Sequence, residues 1–507
     1  MHKRVQYPET IEPLVQFIEE TAPAEILDRT LEKLRGGVAP QTMLTASALA
    51  VARSADLPPG HHGGPLHPLA GLHAVAKLVD RLDGEDRFLP ILQHVALSNQ
   101  HVHDPVTSPF SLLEFAPLDP SGAEVSRTAD LAADGSGEAT TAEGIEAAKA
   151  AFLKACSRGE SNKADHIFLW LWDHVPAIEA FDLLLSVALP KNALDDHYFI
   201  FPGYLWRGLE TIGTEHMKVL MRPAVRYVAR FPAQKAVAEV DTLIEEHGLL
   251  SRVLRQRTGD DETAKIGEIG EAIGRVDVYT EIPAILAKAL VEGLSLEGAG
   301  EALSIGAAGL FLRSLTGNPM DVHLHTSANL RRYLVLLDGL SMRNRLLALL
   351  LWHTGPEVRN TQHRMQPAPQ PDPEAVAALP PRSQEELLEA ITQSIYTQPP
   401  TDWSTVSNLG QMRAVPEVRT TVNLAQQYVN CHYDPQVLID RLAQIVCHDN
   451  FTEMHAFKHH QAVFEEFRAT REPWRWMHLV CGCQAAAISF GKNMSIYEDA
   501  LELMHAA

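Results

Sequence analysis

Apolar residues recur at three- and four-residue spacing through almost all of this chain, and that rhythm restricts it to helices. Ile11, Leu14, Val15 and Ile18 fall on one helical face. So do Leu69, Leu72, Ala76 and Val79; Ile282, Ile285, Leu286 and Leu290; Leu330, Leu334, Leu337 and Leu340; and Val437, Leu438, Leu442 and Ile445. Val219, Leu220, Val225 and Val228 suit another helix, broken or started near Pro223. The period-two alternation of a half-buried strand is missing. The sequence therefore predicts an all-α fold, a large multi-helical bundle of about twenty helices joined by short loops. With 507 residues, 46% of them hydrophobic, such a chain can bury a large core as two or three domains or as one helical body.

Two stretches interrupt the rhythm. Residues 117–144 are rich in Asp, Gly, Ser, Ala and Thr and read as a flexible, solvated loop. Gln366 to Arg382, QPAPQPDPEAVAALPPR, is proline-rich and reads as an extended connector. It divides an N-terminal helical region, 1–365, from a C-terminal one, 383–507, and the expectation is that both pack as one body around a shared site.

Charge and composition narrow the function. A formal charge of −21 argues against nucleic-acid binding, which needs cations to displace condensed counterions. No run reaches the roughly 18–20 apolar residues of a membrane span, and the start, MHKRVQYPETIEPL, lacks the apolar core of a secretory signal. Five cysteines without CxxC spacing read as reduced thiols, so a cytoplasmic location is expected. Walker, GxGxxG, GxSxG, HExxH and EF-hand patterns are all missing.

What the chain has in excess is histidine, 24 residues in all. Imidazole is the commonest protein metal ligand and also a proton carrier. Several of these histidines stand at turns or helix starts. Gly60-His61-His62-Gly63-Gly64-Pro65-Leu66-His67-Pro68 is a turn leading into a helix. His73 follows His67 by six positions and points elsewhere. Asn99-Gln100-His101-Val102-His103-Asp104 ends a helix before Pro105. In Asp195-Asp196-His197-Tyr198-Phe199-Ile200-Phe201, either aspartate can cap the helix or hold the His197 ring. His323-Leu324-His325-Thr326 follows the turn Gly317-Asn318-Pro319. In Glu453-Met454-His455-Ala456-Phe457-Lys458-His459-His460, the i, i+3, i+4 spacing puts His455, Lys458 and His459 on one face. That face is either a basic surface stripe, with Glu465 and Glu466 as partners, or a buried site. If buried, Lys458 becomes a neutral amine able to add CO2 and offer an anionic carbamate oxygen.

These residues resemble the questin oxidase-like family. The segment His67-Pro-Leu-Ala-Gly-Leu-His73 looks like its early histidine-led helix. His323-Leu-His325-Thr326 before Leu330-Arg331-Arg332 is similar to its H-x-x-T helix. His455-Ala-Phe-Lys458 is similar to its late H-x-x-K helix, followed here by Trp474. His197 stands where the family has its middle histidine. Members include anthraquinone ring-opening oxygenases. The resemblance implies a mononuclear non-haem iron held by His67, His197, His323, His455 and a carboxylated Lys458, with His455 and Lys458 also catalytic. His62 is an alternative to His67, and Asn329 replaces a second histidine of the H-x-x-T helix. NADPH is a possible co-substrate, although no dinucleotide fingerprint accompanies it.

The donor set suits Fe(II) and also Mn, Co or Zn. Trp170, Trp172, Tyr198, Phe199, Phe201, Tyr204 and Trp206 supply aromatic surface, with Tyr198, Phe201, Tyr204 and Trp206 the expected substrate contacts. The sequence thus points to a metal-dependent oxygenase acting on an aromatic or polyketide-like small molecule with O2, by oxygen insertion or C–C bond cleavage. A non-catalytic helical scaffold and a metal-dependent hydrolase with a carboxylated lysine are the alternatives.

Overall fold

The computed structural model describes residues 3–58, 61, 63–115, 142–231, 237–314, 319–366, 371–397, 418–448, 453–489 and 496–506. Twenty-four α-helices occur among them and no strand, which makes the chain an all-α multi-helical bundle. A single isolated bridge pairs Arg4 with Leu113. His62 and residues 117–141 of the Asp- and Gly-rich stretch lie outside the described residues, while 142–144 open the Ala142–Arg158 helix.

Amphipathic helices form the outside. Ile26–Arg35 buries Ile26, Thr30, Leu31 and Leu34 along one stripe and leaves its charges in water. The inner helices are buried on nearly every side: Leu66–Val79, Leu296–Arg313 and Trp476–Ser489. Two further inner helices are different in kind. His323–Leu336 and His455–Ala469 are rich in polar side chains yet buried. Burying polar groups is costly unless each finds a partner, so these two helices are the ones that need a polar centre.

Neither the break nor the start expected near Pro223 occurs. Met217–Ala229 runs through it with Arg222, Pro223 and Ala224 buried, so packing offsets the lost backbone hydrogen bond. The connector is also more ordered than its composition predicts. Asp372 accepts from the amides of Glu374 and Ala375 and caps a short helix, Pro373–Ala377. Gln427 then donates to Pro380 O at 2.8 Å and Tyr433 to Arg382 O at 2.7 Å, fastening the connector to the helices beyond it. Residues 367–370 lie outside the described residues.

Helices from both sides of the connector interleave. His455–Ala469 packs on Leu66–Val79 and His323–Leu336, and Trp476–Ser489 packs on Leu296–Arg313. The His197–Ile212 helix lies against Leu66–Val79 so closely that a Cβ on Gly208 would come within 2.8 Å of Leu72 Cβ.

Candidate metal centre

Four helix N-termini converge on one buried point. His67 is the second residue of Leu66–Val79, and His197, His323 and His455 are each the first residue of their helices. All four are buried. Ring centroids lie 5.1 Å apart for His67 and His197, 5.0 Å for His67 and His455, 4.8 Å for His323 and His455, and 6.1 Å for His197 and His323. One ring nitrogen from each of His67, His197 and His455 lies within 4.8 Å of the others. The positive ends of four helices also make this point favourable for an anionic group.

The outer nitrogens of two rings are hydrogen-bonded, and that of a third faces a carboxylate without hydrogen-bond alignment. Asp195 Oδ1 accepts from His197 Nδ1 at 2.6 Å and from the His197 backbone amide at 2.9 Å. Tyr227 donates its hydroxyl to the other oxygen of Asp195 at 2.8 Å. Glu453 Oε2 sits 2.6 Å from His67 Nδ1. Met320 O lies 2.8 Å from His323 Nδ1. A neutral imidazole carries one proton, so an acceptor at Nδ1 leaves Nε2 with a bare lone pair. His67 Nε2 and His197 Nε2 face each other at 3.3 Å. Two ring nitrogens so placed can share either a proton or a metal cation. Ring nitrogens sharing one ion at about 2.0–2.1 Å are separated by about 2.9–3.4 Å. The residues present therefore fit a transition-metal ion.

Burial keeps His67 and His323 neutral. Burial, then the charges of Lys458 and His197, hold His67 well below the usual histidine value. Burial brings His323 down to about 4. Lys458 is buried, and burial pushes it down to about 7. On the other side, Asp196 Oδ2 accepts from the Glu357 backbone amide at 3.1 Å. Burial and the Glu357 charge raise the Asp196 carboxyl well above the carboxylate range. Glu357 stays ionised despite its burial, held low by Asp196, His323 and His197. One Glu357 oxygen lies within 4.8 Å of ligand atoms of Asp195 and His197.

The turn into the first helix passes directly over His67. Gly63 has a φ of +84°, and a Cβ there would lie 2.4 Å from His67 Cε1. Glu453 and Met454 both adopt left-handed conformations, with φ of 48° and 69°. Such backbone strain persists only where the surroundings enforce it, and here it delivers the Glu453 carboxylate to His67 and starts the helix at His455.

The aromatic residues divide. Phe201, one turn after His197, stacks on the His197 ring at 4.8 Å and meets His67 at 5.2 Å. The other three expected substrate contacts point elsewhere. Tyr198 packs on Tyr227, Tyr204 donates to Thr326 O at 3.0 Å, and Trp206 stacks on Phe181 at 4.3 Å. The physical reason is rotation: Tyr198 lies about 100° and Trp206 about 180° from His197 around the helix, and Tyr204 lies two turns below it. Trp170 and Trp172 pack on His174 and Phe168.

A second group of imidazoles joins His325 and His459, which the sequence names for other roles, to His478. His459 Nε2 lies 3.2 Å from His325 Nδ1, His325 Nε2 lies 2.8 Å from His478 Nδ1, and His478 Nε2 lies 3.1 Å from Thr470 Oγ1. Glu357 and Tyr227 fall in no motif. Glu453 stands beside His455 in sequence, but its contact with His67 crosses 386 positions. No known family model matches the chain, and no curated protein or solved structure does.

Proposed function

We propose that this chain is a metal-dependent oxygenase, with non-haem Fe(II) as its resident ion and an aromatic or polyketide-like small molecule as its substrate. The carrying observation is the 3.3 Å approach of His67 Nε2 and His197 Nε2, with the Glu453 and Asp195 carboxylates at their Nδ1 atoms. His67, His197, His323 and His455 would hold the ion, and a carboxylated Lys458 would add an oxygen. In that reaction the neutral Nζ attacks CO2, a C–N bond forms, one proton leaves to solvent, and a carbamate anion remains. Burial that favours the neutral amine and four helix N-termini that favour an anion both support it. When bound, iron supplies O2 activation.

The residues of the chain do the rest. Asp195 and Glu453 fix two ring orientations and raise ligand basicity. Phe201 covers the His197 ring and excludes water from that side. Insertion of oxygen and cleavage of a C–C bond are both open to such a centre, with NADPH as the reductant where one is required. A reducing cytoplasm suits the five free cysteines.

Metal analysis of untagged protein tests this first. We expect near-stoichiometric transition metal and, with hydroxylated anthraquinones as probes, substrate-dependent O2 uptake. Lys458→Ala should lose most of the metal and regain part of it with added short-chain carboxylic acids. Metal-dependent turnover without O2 consumption would make the protein a hydrolase. A chain that takes up no metal would leave a helical scaffold.

A further inference from the structure

The four helices that carry the histidines meet a second time, two to three turns further along. The Glu465 carboxylate sits at that meeting point. His73 Nε2 lies 2.7 Å from it, Arg207 Nη2 2.5 Å, Asn329 Nδ2 3.2 Å and Gln461 Nε2 2.6 Å. His73 belongs to Leu66–Val79, Arg207 to His197–Ile212, Asn329 to His323–Leu336 and Glu465 to His455–Ala469. Each helix thus bears one candidate ligand at its start and one member of this cluster below it. The offset is six residues for His67 to His73 and His323 to Asn329, and ten for His197 to Arg207 and His455 to Glu465, or about 9 and 15 Å of helix.

The cluster is closed on itself. Arg207 Nη1 donates to Asn329 Oδ1 at 2.9 Å, and Thr211 Oγ1 lies 2.6 Å from His73 Nδ1. Glu466 extends it, accepting from Asn329 at 2.8 Å, Arg332 at 2.7 Å and Ser304 at 2.6 Å. Burial would raise the Glu465 carboxyl, but the Arg207 charge and the His73 and Gln461 contacts outweigh it and hold it at about 2.

We propose that Glu465 is a positioning residue whose carboxylate clamps the four ligand-bearing helices and so sets the spacing of the imidazoles above. The inference rests on the metal reading of that site. Its physical basis is directional. Apolar packing allows helices to slide, whereas one carboxylate holding donors from three neighbouring helices permits a single arrangement. Helices are stiff over two turns, so a shift at Glu465 reaches the histidines, and a metal site tolerates only about 0.5 Å of misplacement. Removing one partner of a buried ion pair leaves the other charge uncompensated, so Glu465→Gln should lower the melting temperature as well, and the metal readout is what separates the clamp from a merely structural role.

Two variants of the full chain test this with Co(II) as the probe, whose visible bands report ligand geometry. Glu465→Gln removes the charge. Asn329→Ala removes one strut and leaves the Arg207–Glu465 pair in place, which keeps the test open should the first variant fail to fold. We expect at least tenfold weaker Co(II) binding and altered visible bands in each folded variant, with Glu465→Asp regaining part of the affinity. Folded variants with wild-type Co(II) affinity and bands, and only a lower melting temperature, would overturn the proposal. A wild-type chain that binds no Co(II) would remove the metal reading, and the clamp with it.

Discussion

His197 shows how much one residue's chemistry depends on its immediate partner. Asp195 precedes it by two positions and accepts from both its backbone amide and its ring. That adjacency was visible in the sequence, where two roles for the aspartates stayed open. The structure assigns ring support to Asp195 and leaves Asp196, the residue before the helix, to pair with Glu357. Replacing Asp195 by Asn removes the charge that orients and enriches the imidazole. We expect metal affinity to fall about 10- to 100-fold, measured by competition with a chromophoric chelator, and the effect of Tyr227→Phe to be smaller. Wild-type affinity in Asp195→Asn would show that the carboxylate does not tune the centre. Glu453 could not be assigned in this way, because its partner is on another helix.

At the scale of the element, periodicity gave the helices and the direction of several side chains. His67 and His73 were expected to diverge; one reaches the four-histidine point and the other reaches Glu465. The single face expected for His455, Lys458 and His459 is wider in practice. His455 is turned to the centre, while His459 engages His325. The basic surface stripe considered as the alternative does not exist, since all three are buried. How closely two helices approach is set by small residues that periodicity treats as neutral. Gly208 is one, with no room for a Cβ against Leu72. Gly208→Val should cost about 1–3 kcal/mol through overpacking, read as a lower denaturant midpoint. It should also weaken metal binding, because it separates the helices that begin at His67 and His197.

Over the whole molecule, buried histidines couple folding to pH. Burial brings His94 and His325 down to about 4 and holds His459, His460 and His478 well below the usual value. The unfolded chain protonates its histidines near 6.5. Between 6.5 and about 4, therefore, the unfolded state binds more protons than the folded one, and stability falls as pH falls. Metal-free protein should lose melting temperature steadily across that interval and show little histidine-linked change above it. A flat profile from 6.5 to 4 would contradict the burial of these rings. The centre itself is a whole-molecule property, for His67, His197 and His323 precede the connector and His455 and Lys458 follow it.

By itself the sequence determined the helical class, because the three-to-four rhythm is a local property that each segment carries alone. It also singled out histidines at turns and helix starts, since composition and capping chemistry are local too. Tertiary structure decided which ring nitrogens face one another, which acids back them, and that Phe201 rather than Tyr198, Tyr204 or Trp206 reaches the histidines. Those outcomes depend on where a side chain ends after helices hundreds of residues apart have packed together, and no spacing within one segment encodes that.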